Sequence, residues 1–189
     1  MNSLAYPIGI FEPPAEITAA HRAEWLDDLW QLPARINALT TGLSEQQLTA
    51  TYRPGSWTVQ QLVHHLADSH MNAFLRTKFA LTQTHPKILP YPEAVWAELP
   101  DTHLVDVSVA REQLRAMHAR WTVLFEHMKA QDWQRAYYHP AEARLFRLDE
   151  VLGLYSWHGR HHTAHIEAAL AGADANQWPF TVPKSPMDC

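Results

Sequence analysis

Cysteine is all but missing from this chain: Cys189, the last residue, is the only one among 189. No disulfide can staple the fold, and the solitary thiol suits a reducing cytoplasm, the compartment expected here. Runs of one charge are missing too. The net charge of −5 is spread along the sequence with no basic stripe, which argues against nucleic acid as a partner. No stretch approaches the roughly 18 apolar residues that a membrane span needs, so no membrane partner is expected. The opening MNSLAYPIGIFEPP has no positive n-region ahead of an apolar h-region, so a secretory signal is not expected either. Phosphate loops, dinucleotide fingerprints and a Ser–His–Asp order are equally absent.

What is present is apolar and rich in two kinds of ring. Apolar residues make up 47% and charged residues 19%, which excludes a disordered chain and provides one substantial core. A single domain is expected over 1–172, with an irregular proline-bearing arm at 1–16 and a tail at 173–189. Tryptophan occurs eight times and histidine thirteen. Seven histidines fall in two internal segments, HHLADSH (64–70) and HGRHHTAH (158–165), unlike a terminal tag.

Apolar periodicity and capping residues predict four long helices. The first runs from about Thr18 to Thr41 with Trp25, Leu29, Leu32, Ile36 and Leu39 on one face, and Pro33 should kink it. The second follows YRPGS, starts at Ser56 or Thr58 and reaches about Thr82, and Thr58 with Gln61 can form a capping box. The third spans about Ser108 to Ala130 with a stripe of Leu114, Met117, Trp121, Leu124 and Met128. The fourth opens at Asp149 and closes at Gly172. Trp25, Trp30, Trp57, Trp121 and Trp157 read as core residues. Some 25 proline-rich residues separate helices two and three, with one short helix expected at Glu93–Leu99. The segment 137–148 suggests a small hairpin or an extended cover. The expected architecture is all-α, a four-helix bundle with one long crossover.

Metal sites in such bundles are built from side chains projecting inward from facing helices. Histidines four apart share one helix face and can share one ion. The last helix offers two such pairs, His158/His162 and His161/His165. At about 100° per residue, Leu148, Val151, Tyr155, Ile166 and Ala169 define the buried face. His158 and His162 fall within it, His161 lies at its edge and His165 stays close enough to serve in reserve. One inward histidine is commonly just a hydrogen-bonded core residue. Two a turn apart are harder to explain that way, because each buried imidazole needs partners for both nitrogens. The remaining ligand should come from helix two, where phase favours His70 and leaves His64 and His65 outside the apolar face by similar angles.

Longer motifs add to this reading. WTVQQLVHHLADSHMNAFLRTKFALT (57–82), PYPEAVWAELPD (90–101) and LGLYSWHGRHHTAHI (152–166) closely resemble the YfiT-type metal-dependent hydrolases, a branch of the DinB-like superfamily. YPIGIFEPP (6–14) and YRPGSWT (52–58) match as well, so the resemblance extends to about residue 170. It implies a bundle of up-down-down-up connectivity, a homodimer and one divalent ion per subunit. It also implies the ligands: the histidine before LAD and two histidines four apart on the last helix, here His65, His158 and His162. His70 then becomes a neighbour of the site.

Three imidazoles leave an ion with open positions, as catalytic sites require. Such an ion would activate water for hydrolysis. The alternative enzyme is a thiol S-transferase, in which the ion binds a low-molecular-weight thiol as thiolate. A non-catalytic metal-binding protein is the alternative of another class. All-imidazole ligation points first to zinc or nickel. The substrate is a small molecule of unspecified class. Asp68, one turn beyond His65, could orient an imidazole. His139 could cap the pocket and donate to a leaving group. Arg160 and His161 are expected to face solvent or a neighbouring subunit.

Overall fold

A computed structural model of the chain describes residues 4–175. Helix α1 spans Ala19–Thr40, and its N-cap Thr18 forms a capping box with His21. A single turn, α2 (Glu45–Leu48), and the turn Arg53–Ser56 lead into α3, Val59–Thr82. The Thr58/Gln61 capping box opens α3 as the sequence predicts. The crossover holds two short helices, α4 (Glu93–Trp96) and α5 (Pro100–Leu104). Helix α6 follows as Val107–Glu126, capped by Asp106 and ending short of the expected Ala130. Strands β1 (Ala136–His139) and β2 (Arg144–Arg147) form an antiparallel hairpin, with Tyr137 opposite Phe146.

The last helix, α7, covers Leu148–Ala175. It begins one residue before the predicted cap. Asp149 lies in its first turn, accepting from the Glu150 N–H at 2.8 Å and pairing with Arg147 at 3.0 Å. Gly172 does not stop α7, because a glycine weakens a helix without forbidding it. The remainder of the proposed tail, Cys189 included, lies outside the described residues.

The four long helices form an up-down-down-up bundle. Helix α7 packs on α1 and α3, and α6 packs on the same two, so α1 and α3 lie diagonally across the core. Successive helices are therefore not always neighbours, and the long crossover between α3 and α6 makes this arrangement reachable. Leu29, Ile36, Leu62, Leu66, Leu114, Trp121, Leu152 and Ile166 are fully buried at the centre. Each such side chain contributes roughly 1.5–3 kcal/mol through removal from water. Contact between α1 and α7 is close at Gly159, where a Cβ would lie 2.7 Å from a Leu32 methyl. Trp30 departs from the expected core set; it is 60% exposed on the outer face of α1. Among the described residues no helix is long and apolar enough to cross a membrane.

Candidate metal centre

Three imidazoles from two helices converge where α3 meets α7. His65 and His162 are buried and His158 nearly so, and one nitrogen from each lies within 4.8 Å of the other two. The Nε2 atoms of His65 and His158 are 3.2 Å apart. Two nitrogens bound to one tetrahedral ion at ~2.05 Å would stand roughly 3.3 Å apart, so this spacing fits a shared ion. Burial holds the His65 pKa down to about 3 and pushes those of His158 and His162 well below the usual imidazole value, with neighbouring histidines adding to the effect. All three rings are thus neutral near pH 7, the form that binds metal.

Behind His158 runs a chain of hydrogen bonds that touches all four helices. His158 Nδ1 lies 3.1 Å from His70 Nε2, and His70 Nδ1 lies 3.0 Å from His118 Nε2. His118 Nδ1 lies 2.7 Å from the Leu29 carbonyl oxygen. A carbonyl only accepts, so His118 Nδ1 must carry a proton and donate. Burial lowers the His118 pKa to about 4 and that of His70 well below the usual value, so both rings are neutral. His118 Nε2 must then accept from His70 Nδ1–H, and His70 Nε2 must accept from His158 Nδ1–H. That leaves a bare lone pair on His158 Nε2, the atom facing His65. The chain sets the metal-binding tautomer of His158 from a backbone atom on the far side of the core.

Pro33 leaves the Leu29 carbonyl without its usual helical donor. In a helix the carbonyl of Leu29 would receive the N–H of residue 33, but proline has none. The proline inside α1 leaves the Leu29 oxygen free, and His118 takes it. Sequence reading foresaw a kink at Pro33 and no role for His118. The signal for His118 was its place on the apolar stripe of α6, between Leu114 and Trp121, where an inward imidazole needs partners.

The other sequence candidates divide. His70, which phase placed at the centre of α3, is fully buried and reaches the cluster through His158. His64 points away and bonds the Val105 carbonyl at 3.2 Å, tying the crossover to α3. His165 Nδ1 lies 3.3 Å from His162 Nδ1, and the Tyr52 ring stacks on it at 3.8 Å. His161 contradicts expectation, since only 3% of it is exposed; it stacks on Trp157 at 4.5 Å, sheltered beside the cavity. Arg160 does face solvent, with 41% of its side chain exposed, while it pairs with Asp28 of α1 at 3.2 Å. His161, His162 and His165 form a second close trio, but His162 belongs to both, and its Nδ1 is engaged with His165. Asp68 makes no hydrogen bond to an imidazole among the described residues. Its carboxyl is raised to about 6 by burial and by Asp101, placing it toward the crossover rather than the cluster.

A cavity of about 370 Å³ opens onto His65, His158 and His162. His139 lines it. Glu142 N–H donates to His139 Nδ1 at 3.3 Å, so the neutral ring carries its proton on Nε2. Burial and the Arg76 charge lower the His139 pKa. Burial pushes the Tyr155 phenol up, so this wall residue stays protonated. Arg76, which the sequence did not single out, reaches the same cavity from α3.

The pattern of the DinB superfamily matches residues 17–166, and the matched stretch contains every residue of this site. The chain belongs to the DinB superfamily. It is 43% identical over 178 residues to a Bacillus pumilus protein named "Putative metal-dependent hydrolase", covering 94% of this chain and 99% of that one. It is 42% identical to the Bacillus subtilis protein of the same name, YfiT, over 87% of this chain and 92% of the relative. The solved structure of B. subtilis YfiT superposes with a TM-score of 0.85 at 41% identity, covering 88% and 95% of the two chains. That structure is described as a probable metal-dependent hydrolase with an unusual four-helix bundle topology. The superfamily and bundle expected from the sequence are thereby established.

Proposed function

We propose that this protein is a metal-dependent hydrolase whose His65, His158 and His162 hold one divalent ion, zinc or nickel, at the floor of the cavity. The observation that carries the reading is the convergence of three neutral imidazoles, one with its tautomer set from behind, onto a single open cavity. When bound, such an ion supplies Lewis acidity and lowers the pKa of water toward neutrality. The chain's own residues divide the remaining work. His70 and His118 orient His158, and His165 supports His162. His139, kept neutral near pH 7 by its lowered pKa, steadies the leaving group with a hydrogen bond from Nε2–H, and the proton that the leaving group takes up comes from the attacking water. The subunit is taken to act within a homodimer, which light scattering checks.

Elemental analysis of protein purified without chelator should find close to one first-row divalent ion per chain. Esters and amides are then offered in water, with and without a small thiol. Turnover in water alone supports hydrolysis. Turnover that demands the thiol replaces this reading with thiol transfer at the same centre. Metal without either turnover leaves only a binding protein, and metal-free protein with full activity ends the proposal.

A further inference from the structure

The cavity that holds the histidine cluster also holds a buried cation. Arg76 is only 8% exposed, and among the described residues no carboxylate comes within ion-pairing distance of it. Its Nη2 donates to the Leu89 carbonyl at 3.1 Å, a Tyr91 ring faces it at 5.9 Å, and Tyr155 lines the same cavity. Those partners are neutral. A guanidinium carries five N–H donors in a planar fork, and a buried one without a counter-charge is costly to keep. The two carboxylates on the cavity wall, Glu93 and Glu142, are exposed, where water screens them.

From this arrangement we infer that Arg76 is the binding residue for an anionic group, a carboxylate or a phosphate, on the molecule that reaches the histidine cluster. The inference rests on the cluster being a metal centre and names the class of substrate that centre takes. Arg76 follows His65 by eleven residues on α3, roughly 16 Å of helix rise. The long arginine side chain recovers part of that distance, since both residues line one cavity. The substrate therefore carries its anion several bonds from the group that meets the histidines. A planar fork also selects bidentate oxyanions over single charges, which lysine would not do.

Hydroxamates test this, because they bind metal at one end and can carry a carboxylate at the other. Acetohydroxamate is compared with the monohydroxamates of succinate, glutarate, adipate and suberate on metal-loaded protein. At the best chain length the carboxylated probe should bind about 10- to 100-fold tighter than acetohydroxamate. Arg76→Gln should abolish that advantage without changing acetohydroxamate affinity or metal content, and Arg76→Lys should keep part of it. Equal affinity of charged and uncharged probes at every length overturns the inference. So does an advantage that survives intact in either variant; the lysine variant decides if the glutamine one does not fold. Should the protein take up no metal, the proposed function fails instead. Calorimetry of glutarate on the metal-free protein then decides Arg76 alone: binding lost in Arg76→Gln supports it, and no binding overturns it.

Discussion

Helix α7 carries two histidine pairs of identical spacing, His158/His162 and His161/His165, and their fates differ. Both pairs are sheltered from solvent, and burial depresses the pKa of all four rings. Neither burial nor protonation state separates them. What separates them is the surface opposite. His158 and His162 meet His65 on α3, and His158 is backed by His70 and His118. His161 and His165 meet the rings of Trp157 and Tyr52. Spacing on one helix creates the opportunity for a site, and a third nitrogen from another helix completes it.

The sharpest way to break this contrast is to remove one member of each pair. His158→Ala or His162→Ala should weaken zinc binding by about 10³-fold or more, beyond the roughly 10- to 100-fold commanded by residues behind a ligand. His161→Ala should stay within about 10-fold. Competition against a zinc chelator measures both. If His161→Ala strips the metal while His158→Ala does not, the second trio is the true site.

A second effect is common to both pairs and should appear in acid. Burial pulls His65 and His165 to about 3 and His118 to about 4, all below the unfolded imidazole value of 6.5. Between those values the unfolded chain binds more protons than the folded one, so stability rises with pH. It is complete above about pH 6.5 and drains away toward pH 4. His118 alone accounts for about 3 kcal/mol of that loss. Urea unfolding of metal-free protein at pH 7 and pH 4.5 should show a drop of several kcal/mol. A flat profile would mean these rings are solvated in solution.

Much of this was legible in the sequence, and the failures have physical reasons. The Thr58 capping box and the stripes of α1 and α6 read correctly, because each obeys a local rule. The choice of His65 did not follow from phase. Hydrophobic phase assumes one buried face, but α3 is buried at every position from Gln61 to Ala67, enclosed by α6, α7 and the crossover. Where all sides are covered, periodicity cannot rank His64, His65 and His70; only the motif did. The misplacement of His161 has the same origin, since an edge position becomes interior when Tyr6 and Trp157 cover it. His118, Arg76 and the Leu29 carbonyl depend on contacts between residues 48 to 89 positions apart or on a cavity wall, and no local pattern announces them.

The support behind His158 can be tested one link at a time. His118→Ala removes the acceptor for His70 Nδ1–H, so the chain no longer dictates which nitrogen of His158 is bare. Metal affinity should fall about 10- to 100-fold, as for other outer partners of metal ligands. His118→Gln offers an amide that both accepts and donates and should recover part of the loss. Nitrogen-15 chemical shifts of the His158 ring should show a mixture of tautomers in the alanine variant and one tautomer in the native protein. Unchanged affinity and shifts would reduce His118 to a packing residue.

The smallest effect should come from Pro33→Ala, and its two readouts should move in opposite directions. Alanine restores an N–H that donates to the Leu29 oxygen, the atom His118 uses at 2.7 Å. A carbonyl has two lone pairs and can accept both bonds, so the chain weakens without breaking. Metal affinity should fall only a few-fold, less than the roughly 10-fold lower bound expected for losing His118 itself. Stability should rise instead, because proline inside a helix is about 3 kcal/mol less favourable than alanine, a ceiling the packed bundle will reduce. Thermal unfolding of metal-free protein and chelator competition on the loaded protein separate the two quantities. Higher stability with weaker metal binding would show that α1 carries a helix-weakening residue for the sake of a ligand it reaches only through His118 and His70. Higher stability with unchanged binding would mean that His118 holds its carbonyl without help from the proline.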